Sequence, residues 1–85
     1  MQLDVFVGAD CRFCETSQAI ADDLARRYPQ LVVRVVDVAE AGAEVPESLV
    51  AVPTYMLDGR VVSLGNPLVD DLAALIEAAS RVDHT

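Results

Sequence analysis

Cys11 and Cys14, separated by Arg12 and Phe13, are the only two cysteines in an 85-residue chain. A pair at this spacing can cycle between dithiol and disulfide, can supply two ligands to a metal or iron–sulfur centre, or can be inert packing. A structural zinc site takes four ligands. The other candidate ligands are carboxylates and the single histidine, His84, in the terminal residues. A metal centre would therefore have to be completed by a second chain. Exchange chemistry asks less of the sequence. A thiol at the start of a helix faces backbone N–H groups that have no helical partner and the positive end of the helix dipole, and both favour thiolate over thiol. Cys11 is then the exposed nucleophile, and Cys14, one helical turn on, the more buried thiol that resolves a mixed disulfide. Arg12 supports the thiolate, whereas Asp10 and Glu15 oppose it.

The elements around the pair give it that setting. Residues 2–7 are rich in Val and Phe and read as a strand, and Gly8-Ala9-Asp10 breaks it. From Cys11 the period becomes helical. Phe13, Ser17, Ile20, Leu24 and Tyr28 fall on one side, with Asp22–Arg26 and Asp23–Arg27 as i,i+4 pairs on the other. Asp10 is the expected N-cap and Pro29 the stop.

Further along, Leu31-Val32-Val33-Arg34-Val35-Val36 is the strongest strand signal, with the composition of a central strand buried on both faces. Residues 39–45 read as loop or frayed helix, and 46–49 as a short helical turn opened by Pro46. Residues 53–57 and 60–64 read as two strands joined by Asp58-Gly59, a dipeptide suited to a type I′ turn. Gly65-Asn66-Pro67 then supplies a break, an N-cap and a helix-starting proline, followed by a stripe of Leu68, Leu72, Leu75, Ile76 and Ala79. The expected architecture is α/β: a four-stranded mixed sheet in the order βαβ-α-ββ-α with helices on both faces. One domain spans 1–81, with a frayed tail at 82–85.

Composition narrows the function classes. The chain is 53% hydrophobic with 5% aromatics, which describes a small aliphatic core rather than a disordered segment. With 14 acidic residues against 6 basic ones, its net charge of −8 repels nucleic acid and anionic membranes. The charge would steer basic partners, or simply keep a small domain soluble. No apolar run approaches the ~18–20 residues of a membrane span. Met1 leads straight into the strand pattern with no basic leader, so the expected compartment is cytoplasmic and a lone cysteine pair there reads as redox chemistry.

Cys11-Arg12-Phe13-Cys14 at a strand-to-helix junction, then Val52-Pro53-Thr54, then strand-Asp-Gly-strand and Gly65, together resemble the thioredoxin/glutaredoxin superfamily. The nearest likeness is to its minimal, glutaredoxin-like thioredoxins, and it extends over residues 2–79. The resemblance implies a thiol–disulfide oxidoreductase with Cys11 as nucleophile, Cys14 as resolving thiol and no cofactor beyond the redox-active disulfide. It implies that Pro53 matches the family's cis-proline and that Val52 offers its backbone to an extended substrate. Arg12, Phe13, Thr54 and Gly65 are the remaining substrate-binding candidates. Implied partners are a protein disulfide and an external reductase or thiol, acting on a monomer.

There are departures from the family pattern. Asp10 stands where thioredoxins carry Trp, and Val5 where they bury an Asp. Arg12-Phe13 replaces the usual middle pair, and Gly65-Asn66-Pro67 keeps only the first Gly of the glutaredoxin Gly-Gly stretch. These changes point away from efficient glutathione use. A binding or redox-sensing module on the same fold, or a metal or iron–sulfur site shared across a dimer, is the alternative reading.

Overall fold

A computed structural model describes the chain except for residues 10, 41, 43, 44, 48, 50 and 83–85. Its elements are β1 (Gln2–Val7), α1 (Cys14–Arg27), β2 (Val32–Asp37), β3 (Thr54–Leu57), β4 (Arg60–Leu64) and α2 (Val69–Val82). The four strands form one mixed sheet in the order β2-β1-β3-β4. β1 runs parallel to β2, with Val5 opposite Val35, and antiparallel to β3, with Val5 opposite Tyr55. The α/β class and the mixed sheet expected from the sequence are thus the ones observed.

Side-chain alternation along the strands places the core. Leu3 and Val5 of β1 share a face with their cross-strand neighbours Leu57 and Tyr55. All four belong to one buried cluster with Ile20, Ala21 and Leu24 of α1 and Leu72 and Ile76 of α2. Both long helices therefore pack on that face. Helices were expected on both faces, and the remaining helical element was expected as a short turn at residues 46–49. There the structure shows a single turn, with the Leu49 N–H on the Pro46 carbonyl at 3.0 Å, and Ser48 lies outside the described residues.

β2 corrects another expectation. It is an edge strand rather than a central one, with Val32 and Arg34 exposed. Its β-branched run follows from the half of the strand that packs under α1, and Arg34 turns outward to pair with Asp4 at 2.9 Å. The β3–β4 hairpin closes as expected, with Asp58 and Gly59 both at positive φ (49° and 84°), as a type I′ turn demands. A register shift after Tyr55 makes β4 one residue longer than its partner at Val62.

Both helices begin later than the sequence pattern suggests. α1 starts at Cys14 with Phe13 at the N-cap position and no side-chain cap; Asp10, the expected N-cap, lies outside the described residues. Asp23 rather than Asp22 gathers the arginines, at 3.5 Å from Arg26 and 3.6 Å from Arg27, while Gln18 bonds Asp22. α2 starts at Val69, with the Leu68 carbonyl accepting its first amides from Asp71 and Leu72. Leu72, Ala73 and Ile76 are its buried face, and Leu68 and Leu75 are exposed. The frayed tail expected at 82–85 falls at the end of α2 and on residues outside the described ones.

Candidate active site

The link between β1 and α1 carries Cys11, and the first residue of α1 is Cys14. Cys11 lies on the turn before the helix, and the Cys14 N–H donates to the Cys11 carbonyl at 3.2 Å. This one turn brings the Cα atoms to 5.4 Å, and the two cysteines are joined as a disulfide. Cys14 is the first residue of α1, so the pair sits at the positive end of that helix. The sequence led us to expect Cys11 to be more exposed than Cys14, yet both are half-buried. Both line an open groove of about 530 Å³, together with Gly8, Arg12, Glu15 and Gln18.

Phe13, between the cysteines, was as plausible for helix packing as for partner contact. Phe13 is 59% exposed, so it is no part of the buried helix face. Arg12 is exposed beside it. Gly8, one of the lining residues, packs closely on its neighbours: a Cβ there would meet the Val52 side chain at 3.2 Å and Val38 at 3.7 Å. Val52 is thus a neighbour of Gly8 and does not itself line the groove.

The segment Val52-Pro53-Thr54 enters β3 through a cis Val52–Pro53 bond. The Pro53 carbonyl accepts the Gly65 N–H at 2.8 Å, which extends the β3–β4 pairing past Thr54–Leu64. Gly65 adopts φ +85° with nothing within 4 Å of where a Cβ would stand. It is the backbone conformation, not crowding, that favours glycine there. Thr54, expected among the substrate-binding side chains, is buried at 1% exposure and donates its hydroxyl to the Ala51 carbonyl at 2.6 Å. Its side chain fixes the segment's path and does not face the groove.

Asn66 is used differently from the expectation. Read as the N-cap of the last helix, its side chain instead reaches across to α1. Its amide donates to the Phe13 carbonyl at 2.8 Å, and its Oδ1 accepts from Ser17 Oγ at 2.6 Å and from Tyr55 OH at 2.8 Å. Ser17 and Tyr55 are both fully buried. Burial raises the pKa of the Tyr55 phenol above its ordinary value, with Ser17 partly opposing. Sequence reasoning passed over Tyr55 and Asn66 as site neighbours. The available signal was Ser17, a polar residue within an otherwise apolar helix face, which must find partners if buried.

Among the described residues no three His, Cys, Asp or Glu side chains gather as a metal-ligand set, and His84 lies outside them. No described helix is long and apolar enough to cross a membrane.

Comparison with known proteins agrees with this geometry. Residues 1–77 match the family model described as a thioredoxin domain. No curated protein sequence matches the chain. Among solved structures, thioredoxin O2 from Arabidopsis thaliana in its oxidized state is similar to it, with a TM-score of 0.66 at 22% identity. That match covers 91% of this chain and 72% of the other.

Proposed function

The chain belongs to the thioredoxin-domain family, and from that footing we propose that it is a thiol–disulfide oxidoreductase working through Cys11 and Cys14. The observation that carries the proposal is the disulfide itself: the only two cysteines of the chain are joined at the start of α1, in an open groove.

In the reduced form the Cys11 thiolate attacks one sulfur of a substrate disulfide. A Cys11–substrate disulfide forms and the other substrate sulfur leaves as thiolate. Cys14, on the adjacent helical turn, then attacks the Cys11 sulfur. The second substrate thiolate departs and the Cys11–Cys14 disulfide closes. Two electrons have passed to the substrate, and an external reductase or thiol returns them. The amides and dipole at the start of α1 stabilise each thiolate of the pair. With Val5 in the place of a buried acid, protons come from solvent or from a carboxylate at the rim such as Glu15.

The substrate class is a protein disulfide. The groove is shallow, and Phe13, between the two cysteines, presents a large apolar side chain to solvent (59%). Surfaces of this kind suit a polypeptide better than a small charged thiol. Val52, packed against the groove-lining Gly8, offers backbone to an extended segment in the manner of an added strand. The net charge of −8 favours basic partners and disfavours nucleic acid and anionic membranes. A cytoplasmic setting, a monomeric state and the absence of any cofactor beyond the disulfide belong to the same proposal.

Trapping tests it. Cys14→Ser, incubated with a disulfide-bonded protein substrate, should accumulate a mixed disulfide through Cys11 that is visible by mass spectrometry and released by dithiothreitol. Cys11→Ser should trap none. Equal trapping by the two variants would reverse or abolish the assigned roles.

A further inference from the structure

From the bonds that converge on Asn66 we infer that this residue is a positioning residue for the cysteine pair, preorganising the Cys11–Phe13 turn for closure of the disulfide. The inference rests on the redox reading above and goes beyond it in naming what holds the turn.

Phe13 is the last residue before α1, and its carbonyl is the acceptor for the first helical amide, from Ser17 at 3.2 Å. Asn66 Nδ2 donates to that same carbonyl at 2.8 Å, from 53 positions away in sequence. A carbonyl can only accept, so the amide nitrogen must be the atom that faces it. Oδ1 then faces the hydroxyls of Ser17 and Tyr55, at 2.6 Å and 2.8 Å; the single Ser17 hydroxyl hydrogen takes this shorter contact, with the Phe13 carbonyl 3.2 Å from the same Oγ. Ser17 is on α1, and Tyr55 is on β3 two residues after Pro53. Asn66 itself follows Gly65, whose N–H holds the Pro53 carbonyl.

One side chain thus joins the turn between the cysteines, the strand that follows the cis proline and the link into α2. Because Tyr55 and Ser17 are buried, the anchor for Oδ1 does not move with the surface. Fixing the Phe13 carbonyl fixes the peptide between Phe13 and Cys14, and with it the direction in which Cys14 leaves the turn. A turn held this way keeps the two thiols at closing distance in the reduced protein, and so raises their effective concentration. An Asn66 that capped α2 would have none of these consequences, and the Leu68 carbonyl already begins that helix without it.

The test is the equilibrium of the full-length protein with glutathione, in which two glutathione thiols and the Cys11–Cys14 disulfide exchange for the protein dithiol and one glutathione disulfide. One neutral hydrogen bond corresponds to a shift of about twofold to tenfold in such a constant. Asn66→Ala should move the equilibrium toward the dithiol by that factor, as measured by mass spectrometry of alkylated samples. Asn66→Asp keeps the acceptor for Ser17 and Tyr55 but loses the donor to Phe13, and should shift it in the same direction. Asn66→Gln, which keeps both groups, should recover part of the wild-type value.

Tyr28→Phe removes the exposed bond from the C-cap of α1 to Glu77 in the middle of α2 and serves as the control. It should leave the constant unchanged even where it lowers Tm. If Asn66→Ala folds but keeps the wild-type constant, the positioning role is wrong while the redox reading stands. Should Asn66→Ala not fold, an unchanged constant in Asn66→Asp overturns the inference equally. A wild-type pair that does not equilibrate with glutathione or a protein dithiol defeats the redox reading and the inference with it.

Discussion

The two ends of the α1–α2 pair are each tied by side chains 49 residues apart in sequence: Ser17 with Asn66 near the disulfide, and Tyr28 with Glu77 at the other end. The equal offset says that the helices run side by side in the same direction. The bonds have similar lengths, 2.6 Å and 2.9 Å, but different surroundings. Near the disulfide the buried Ser17 and Tyr55 hydroxyls anchor Oδ1 of the half-buried Asn66, whose amide nitrogen makes a third, exposed bond to the Phe13 carbonyl. At the far end Tyr28 and Glu77 meet on the surface, beside the exposed Asp23–Arg26 and Asp23–Arg27 pairs, where water competes for every partner. A hydrogen bond positions a group when the alternative is an unsatisfied buried atom; it does little when the alternative is water. The molecule keeps its precise polar geometry at the end where the chemistry is.

Substitutions can break or sharpen that contrast. The largest effect should come from Leu24→Ala, because Leu24 is fully buried between the helices and the sheet and supports both ends alike. Such truncations cost about 2–5 kcal/mol, and urea unfolding should report a loss in that range. A loss confined to one end, seen as hydrogen exchange raised only near Ser17 or only near Tyr28, would contradict a shared core.

Paired tyrosine variants give the smaller and more discriminating effect. Tyr55→Phe removes one of two donors to Asn66, leaving Ser17 in place, and should cost about 0.5–1.5 kcal/mol. Tyr28→Phe should cost less than Tyr55→Phe, since its hydroxyl is exposed. Alkaline pH separates them again. Burial raises the Tyr55 pKa above 10 in the folded protein, so the folded state keeps a proton that the unfolded chain gives up near that value. The stabilisation is complete below pH 10 and is lost as pH rises from there through the folded pKa. Tyr55→Phe should flatten this alkaline fall in stability. The part due to Tyr28, raised chiefly by its hydrogen bond to Glu77, should persist. An unchanged alkaline slope in Tyr55→Phe would show that the phenol is not sealed as described.

Local chemistry was readable from the sequence, and pairings at a distance were not. The Asp58-Gly59 turn, the strand–CxxC–helix junction and the glycine at 65 each depend on a few adjacent residues, and each is where the pattern put it. β2 was misread as central because a run of β-branched residues looks alike at the edge or the middle of a sheet; only its neighbours decide, and here β1 covers one side alone. Arg34 in the middle of that run was the one local hint of an edge. Asn66 was misread because Asn-Pro before an apolar stripe resembles a helix start. Its actual partner, the Phe13 carbonyl, is set by tertiary packing between α1 and the β4–α2 link. Leu68 and Leu75 fit the helical stripe by period, yet the helix begins at Val69 and turns both outward.

The central claim is that Cys11 and Cys14 form a working redox couple, and equilibration in thiol buffers across a range of potentials tests it most directly. The account predicts one reversible two-electron transition between about −200 and −290 mV, the range of dithiol exchange proteins, abolished in Cys11→Ser and in Cys14→Ser. A pair that stays reduced in oxidising buffer, or that is recovered holding a metal ion, would contradict it.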